Sequence, residues 1–158
     1  MSLSPPLHIG IISDTHGLIR PAAVEALRGV ALILHAGDVG GEHILAPLRA
    51  LAPVKVVRGN TDTDPWGRRL PLFETASIGP DSIYMHHGHL EPGIDFHAAG
   101  FKVVVSGHTH IPHIEWRRDI LHINPGSAGH RRSSLPATVA RLTLTGHAHD
   151  AHIIELDC

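Results

Sequence analysis

The stretch LHIGIISDTHG, residues 7–17, decides the architecture. Residues 7–13 form a short, near-continuous apolar run rich in Ile, which is how a strand buried on both faces reads. The run stops abruptly at Asp14-Thr15-His16-Gly17, where polar side chains able to ligate a metal replace it. The same pattern recurs down the chain. Residues 31–35 (ALILH) lead into Gly37-Asp38, and residues 54–58 (VKVVR) into Gly59-Asn60 and Asp62. Residues 82–86 lead into His87-Gly88-His89, and residues 102–106 (KVVVS) into Gly107-His108 and His110. Between the first three runs, residues 21–28 and 43–51 carry apolar positions at helical spacing. Pro21 suits a first helical turn, where its missing N–H costs little. The β-α-β-α-β order predicts parallel strands joined by right-handed crossovers.

Beyond residue 70 the pattern changes. Residues 72–78 and 82–86 flank Gly79-Pro80-Asp81, which predicts a hairpin. A short helix is expected over residues 93–99. From Pro112 onward, residues 113–116, 120–123, 137–144 and 149–156 read as antiparallel strands, with residues 129–136 as a surface loop. The expected fold class is α/β: two sheets packed face to face with helices outside, in one domain over residues 1–158. Residues 1–6 lack the basic and long apolar regions of a signal peptide and are expected to be disordered, outside the fold.

Composition narrows the function classes. A net charge of −2, with 13 Lys and Arg scattered singly or in pairs, gives no footprint for a nucleic-acid backbone. The single Cys158 provides neither a disulfide framework nor a thiolate zinc site, and it points to a reducing cytoplasm. No apolar run approaches the ~18 residues of a membrane span. Histidine is the anomaly: 16 copies, more than Lys and Arg together.

No single cluster identifies the chemistry. Asp14-Thr15-His16 also reads as a turn beside a solvated His, and Gly37-Asp38 and Gly59-Asn60 consist of ordinary turn residues. His87-Gly88-His89 and His108-Thr109-His110 are better, because residues i and i+2 of an extended chain share a face. Convergence decides between these readings. Ligand sites of open α/β sheets lie outside the carboxyl ends of the strands, and five strands here each end in a metal-competent side chain. The run Gly146-His147-Ala148-His149-Asp150-Ala151-His152 has no such convergent partners and reads as turn and exposed strand.

Taken in order, Asp14-x-His16, Gly37-Asp38, Gly59-Asn60-x-Asp62, His87-Gly88-His89 and Ser106-Gly107-His108-Thr109-His110 resemble the motifs of calcineurin-like metallophosphoesterases. The short chain and Asn124-Pro125-Gly126-Ser127 resemble the small bacterial and archaeal phosphodiesterase branch. The resemblance implies a four-layer αββα sandwich holding two divalent transition metals. By that resemblance Asp14, His16 and His110 hold one metal, Asp38 bridges both, and Asn60, His87 and His108 complete the second. Mixed oxygen and imidazole ligation suits Mn first, with Fe, Ni, Zn or Co as alternatives. Two metals ~3.5–4 Å apart would activate a bridging hydroxide as nucleophile and clamp the phosphoryl oxygens of a small phosphate ester. The implied activity is phosphodiester hydrolysis. The competitors are a phosphomonoesterase and a non-catalytic binding module, since a retromer subunit of similar fold works as a scaffold. The resemblance also implies a homo-oligomer, dimer or tetramer.

The third motif departs from the pattern of many relatives, which carry His after Gly-Asn, where this chain has Thr61. A hydroxyl is too weak an acid to protonate a leaving group efficiently near neutrality. His89 is the candidate catalytic residue in its place, supplying a proton or a hydrogen bond; the alternative is a residue that orients a ligand or touches substrate. Arg20, Arg58, Arg131 and Arg132 are the candidate substrate contacts, because guanidinium suits phosphate oxygens, although each also reads as a solvated surface arginine. Asp62 reads as a carboxylate that orients a ligand without being one.

Overall fold

The structure is a computed structural model, and it describes residues 5–131, 134–146 and 148–157. Met1–Ser4, Arg132, Ser133, His147 and Cys158 lie outside the described residues. The first sheet has the order β10-β9-β1-β2-β3, built from β1 (Leu7–Ile12), β2 (Leu32–His35), β3 (Val54–Val56), β9 (Thr138–Leu144) and β10 (His149–Glu155). β1, β2 and β3 are parallel, and β9 runs antiparallel to β1 with Ile9 opposite Leu142. The helices α1 (Pro21–Ala26) and α2 (Leu45–Arg49) make the two crossovers, with Pro21 in the first turn of α1 as its sequence requires.

The second sheet has the order β4-β5-β6-β8-β7, from β4 (Phe73–Ile78), β5 (Asp81–His86), β6 (Val103–Val105), β7 (His113–Arg117) and β8 (Ile120–Asn124). β4 and β5 form the expected hairpin. The two sheets share one apolar core: Ile9, Ile11 and Leu34 of the first meet Ile83, Met85, Val105 and Ile123 of the second. Behind the first sheet, Leu27 and Leu48 of the crossover segments seal Ile12, Ile33 and Val139. The α/β sandwich of two facing mixed sheets is therefore as expected.

β7 and β8, like β9 and β10, are antiparallel as expected, and β8 also lies parallel to β6. One local expectation fails. Residues 93–99 form turns, not a helix. There the Asp95 carboxylate caps the N–H groups of His97 and Ala98 at 3.0 and 3.1 Å, and only a single turn follows, closed by Ala99 N–H to Asp95 O at 3.0 Å. Gly93 and Gly100 bound the segment at φ +71° and +86°. Phe96 and Phe101 of this region cover Tyr84, Val104 and Ile120 on the outer face of the second sheet. Among the described residues, no helix is long and apolar enough to cross a membrane.

Candidate metal centre

The parallel strands β1, β2, β3, β5 and β6 deliver their following loops to one end of the sandwich, and two groups of side chains assemble there. The donor atoms of Asp14, His16 and His110 lie within 4.8 Å of one another, as do those of Asp38, His87 and His108. Asn60 joins the second group: its Oδ1 is 3.0 Å from His87 Nε2 and 3.1 Å from His108 Nδ1. All seven residues that the motifs single out thus meet in one place.

Each carboxylate has one oxygen engaged by the protein and one turned to the cluster. Asp14 Oδ2 accepts the Ser13 hydroxyl at 2.6 Å and the His108 N–H at 3.1 Å. Asp14 Oδ1 is buried with no hydrogen-bond partner, facing His110 Nε2 at 3.2 Å and His16 Nε2 at 3.7 Å. A buried carboxylate oxygen without a donor is costly unless a cation completes it. Asp38 Oδ1 accepts the Thr61 N–H at 2.9 Å, which leaves Oδ2 between the two groups, 3.6 Å from His16 Nε2 and 3.2 Å from His87 Nε2. The two groups of donor atoms, with Asp38 Oδ2 near both, are chemically suited to divalent cations.

Electrostatics keep both carboxylates charged. Burial pushes the Asp38 carboxyl up, but the His87 imidazole and the Thr61 N–H outweigh it and hold the group well below the usual carboxylate range. Burial likewise opposes ionisation of Asp14, and the His16 and Ser13 contacts with the nearby His87 and His110 bring it below its ordinary value. His87 Nδ1 donates to the Ala36 carbonyl at 2.8 Å, which leaves Nε2 as the ring nitrogen turned to the cluster, able to ligate once a cation displaces its proton. That pattern is the tautomer of a metal-binding imidazole.

The backbone at the site is strained. Among the described non-glycine residues, positive φ occurs at Asp14 (56°), His16 (47°), Asp38 (53°), His108 (72°) and His110 (65°), and otherwise only at Arg118 and Asp119. The last two form the β7–β8 turn, where a two-residue hairpin demands positive φ. The other five are all potential ligands. Left-handed backbone costs a side chain-bearing residue about 1–2 kcal/mol, and such strain persists where the surrounding structure over-determines it.

That determination is visible in the loops. Past the ends of β1 and β2 the ladder continues as Asp14 N–H to Gly37 O, His16 N–H to Asp38 O and Gly17 N–H to Val39 O, at 2.9–3.0 Å. His35 is fully buried: its Nδ1 accepts the Gly37 N–H at 3.2 Å, so Nε2 donates to Thr15 Oγ1 at 3.0 Å, and burial lowers its pKa to about 4. The Asp62 carboxylate accepts the N–H groups of Val39, Gly40 and Gly59 at 2.9–3.2 Å, tying the Asp38 loop to the Asn60 loop. Gly59 permits close approach, since a Cβ there would lie 2.1 Å from Asp38 Oδ1.

The other candidates separate. His89 sits beside the cluster, 5.3 Å from His87 between ring centroids, with its Nδ1 buried and without a hydrogen-bond partner. Arg58 lines a cavity of about 260 Å³ together with Asn60 and His89. Arg20 instead spends its guanidinium on the Gly129 carbonyl at 3.0–3.1 Å, and Arg131 Nε reaches the Leu135 carbonyl at 3.5 Å. Arg132 lies outside the described residues. Sequence reasoning missed Arg68, a second guanidinium on the Arg58 cavity, for which the sequence carried no signal. It also missed Ser13, Ser127 and Asn124 as supports. Ser127 Oγ donates to the Asp14 carbonyl at 2.9 Å, and Asn124 Nδ2 donates to the Gly107 carbonyl at 2.9 Å. Their position at strand ends beside the motifs was the available clue.

The sequence profile of the calcineurin-like phosphoesterase superfamily domain matches residues 7–147. A probable metallophosphoesterase of Methanothermobacter thermautotrophicus is 37% identical, over 92% of this chain and 91% of that one. The phosphodiesterase YfcE of Escherichia coli is 30% identical, over 82% and 84%. In three dimensions, Vps29 of Chaetomium thermophilum superposes with a TM-score of 0.76 at 19% identity, covering 95% and 97%; at that identity the likeness is one of fold.

Proposed function

The chain belongs to the calcineurin-like phosphoesterase superfamily, and on that premise we propose that it is a dinuclear-metal phosphodiesterase hydrolysing a small phosphate ester. The observation that carries the reading is the donor set itself. Two groups of ligand atoms converge with Asp38 Oδ2 near both, and the buried inward oxygen of Asp14 faces the imidazoles of His16 and His110. In this proposal Asp14, His16 and His110 would hold one cation and Asn60, His87 and His108 the other, with Asp38 serving both. Divalent cations held there would supply Lewis acidity, an acidified water and a clamp on phosphoryl oxygens. Manganese is the first cation to test on mixed oxygen and imidazole ligation, ahead of Fe, Ni, Zn and Co.

The protein's own groups do the rest. The His87 N–H to Ala36 and the Ser13 and Thr61 donors fix the ligand orientations before substrate arrives. Arg58, with Arg68 on the same cavity wall, attracts the anionic ester beside Asn60. Burial, with His87 and His108 nearby, pushes the His89 imidazole below its ordinary pKa. A neutral ring favours hydrogen bonding to the leaving group over full proton donation. His89→Ala should then lose most rate with alkyl leaving groups and least with nitrophenyl ones, and uniform loss would reject this role.

The diester preference is supported by the 30% identical relative named a phosphodiesterase and by Thr61 at the position of the acid His. The fold likeness to Vps29 admits a scaffold reading, but all seven ligand positions here carry competent side chains. The single Cys158 supports a cytoplasmic setting. The deciding experiment is chelation followed by re-addition of individual metals, with hydrolysis of bis-p-nitrophenyl phosphate measured against the mono-ester. Activity after complete metal removal, or none with any metal, would sink the proposal.

A further inference from the structure

A second cavity, of about 160 Å³, opens beside the ligand His87; it is lined by Glu91 at its rim but by neither Arg58 nor Arg68. Its floor comes from the outer face of the β4–β5 hairpin. Ile83 and Met85 point into the inter-sheet core, so the alternate residues Tyr84 and His86 face outward. Phe73 pairs with His86 across the hairpin and stacks on Tyr84, with ring centroids 5.5 Å apart and planes 11° from parallel. Tyr84 and His86 meet at 5.4 Å and 60°. The opposite wall is the loop from Gly88 to Pro92, with Leu90 upon it.

Three large apolar side chains stand at this opening at considerable exposure: Leu72 at 41%, Phe73 at 55% and Leu90 at 53%. Contiguous exposed apolar surface beside a polar cleft marks a binding site more often than scattered residues do. The adjoining cavity shares Leu72, His89 and Leu90 but contains Arg58 and Arg68 and no Phe, Tyr or Trp. His89 therefore stands between an aromatic compartment and a cationic one. The volume matches one ring, since an apolar cavity of ~150 Å³ accepts benzene.

We infer that the Phe73–Tyr84–Leu90 cavity is a specificity pocket that takes an aromatic ring carried on one ester arm of the substrate. The inference rests on the phosphoesterase reading and names its substrate class: a phosphodiester with at least one aromatic-bearing arm. Continuity with the candidate metal centre through His87 and His89 selects a substrate arm as occupant over a second copy of the chain.

Phenylphosphonate and methylphosphonate test this without turnover, because neither has an ester bond to cleave. Titrated calorimetrically into the manganese-loaded protein, the phenyl compound should bind about tenfold more tightly, the scale of one buried and stacked ring. Phe73→Ala should cut that preference below about threefold and leave methylphosphonate affinity unchanged, while Phe73→Tyr should retain it. Phe73 is half-exposed on an edge strand, and Leu90→Ser on the facing loop provides a second, independent variant. Equal binding of the two phosphonates overturns the pocket, as does a preference that survives both Phe73→Ala and Leu90→Ser. So does a Phe73→Ala effect that appears only as dissociation of an oligomer. Phe73-dependent preference without hydrolysis of any diester keeps the pocket and fells the catalytic reading; hydrolysis without preference fells the pocket alone. Failure of both phosphonates to bind overturns both.

Discussion

Asp62 is not a ligand, yet removing it should be among the most damaging single changes near the site. Its carboxylate is the acceptor for Val39, Gly40 and Gly59 N–H groups, from two loops that the Thr61 N–H to Asp38 bond also joins. In Asp62→Ala those three donors lose their partner. Gly40 is exposed and water replaces the carboxylate there, but Val39 and Gly59 are buried. Two buried, unsatisfied N–H groups at about 1–3 kcal/mol each put the loss at about 2–6 kcal/mol. For a domain of this size that corresponds to a fall in Tm of about 10 °C. Because Val39 and Gly59 adjoin Asp38 and Asn60, the loops that carry two ligands also loosen, and metal affinity should fall by about 10–100-fold, the usual cost of losing an orienting partner. Asp62→Asn keeps one acceptor oxygen and should lie between. The assays are thermal unfolding of the metal-free protein and calorimetric titration with manganese. A Tm within about 2 °C of the parent refutes the energetic reasoning. Lost stability with unchanged metal affinity refutes the positional reasoning, leaving Asp62 as a structural clasp alone.

Three further outcomes follow from the same geometry. Gly59→Ala places a Cβ 2.1 Å from Asp38 Oδ1 and 2.3 Å from its N; the protein should bind fewer than two metal equivalents per chain by elemental analysis, whereas full stoichiometry would show that the loops yield freely. At His108, with φ at 72°, the Gly variant should be more stable than the Ala variant by about 1 kcal/mol in the metal-free protein, because only Gly relieves left-handed strain; denaturant midpoints in the reverse order would contradict it. His35 has a folded pKa of about 4 against 6.5 in the unfolded chain. Between those values the unfolded state binds a proton that the folded state does not, so stability falls as pH drops through that window, by about 3 kcal/mol at most. His35→Gln should flatten this slope in urea unfolding of the metal-free protein, and parallel pH profiles would remove His35 from the account.

The line between what the residues reveal and what folding adds runs through particular side chains. Asp14, His16, Asp38, Asn60, His87, His108 and His110 were legible because each follows a buried strand, and parallel strands necessarily bring their carboxyl ends to one edge. Most of the supporting strands were legible from the same apolar runs. The turns at residues 93–99 were not: Asp95 caps one turn as at a helix start, but Gly93 and Gly100, both at positive φ, bound the segment before a second turn forms.

Other features belong to the tertiary structure alone. Residue type does not say that Asp14 spends Oδ2 on Ser13 and His108 and leaves Oδ1 for a cation, or that Arg20 turns to Gly129 while Arg58 and Arg68 share a cavity. Nor does it disclose left-handed backbone at five candidate ligands, a conformation that sequence statistics assign to Gly. Which side chains arrive at the site is already written in the chain, because each directly follows an apolar strand-forming run, a local feature. Which atom of each faces the centre, and which side chains line the neighbouring cavity, emerge only on folding, because they depend on hydrogen bonds and packing between segments far apart in sequence.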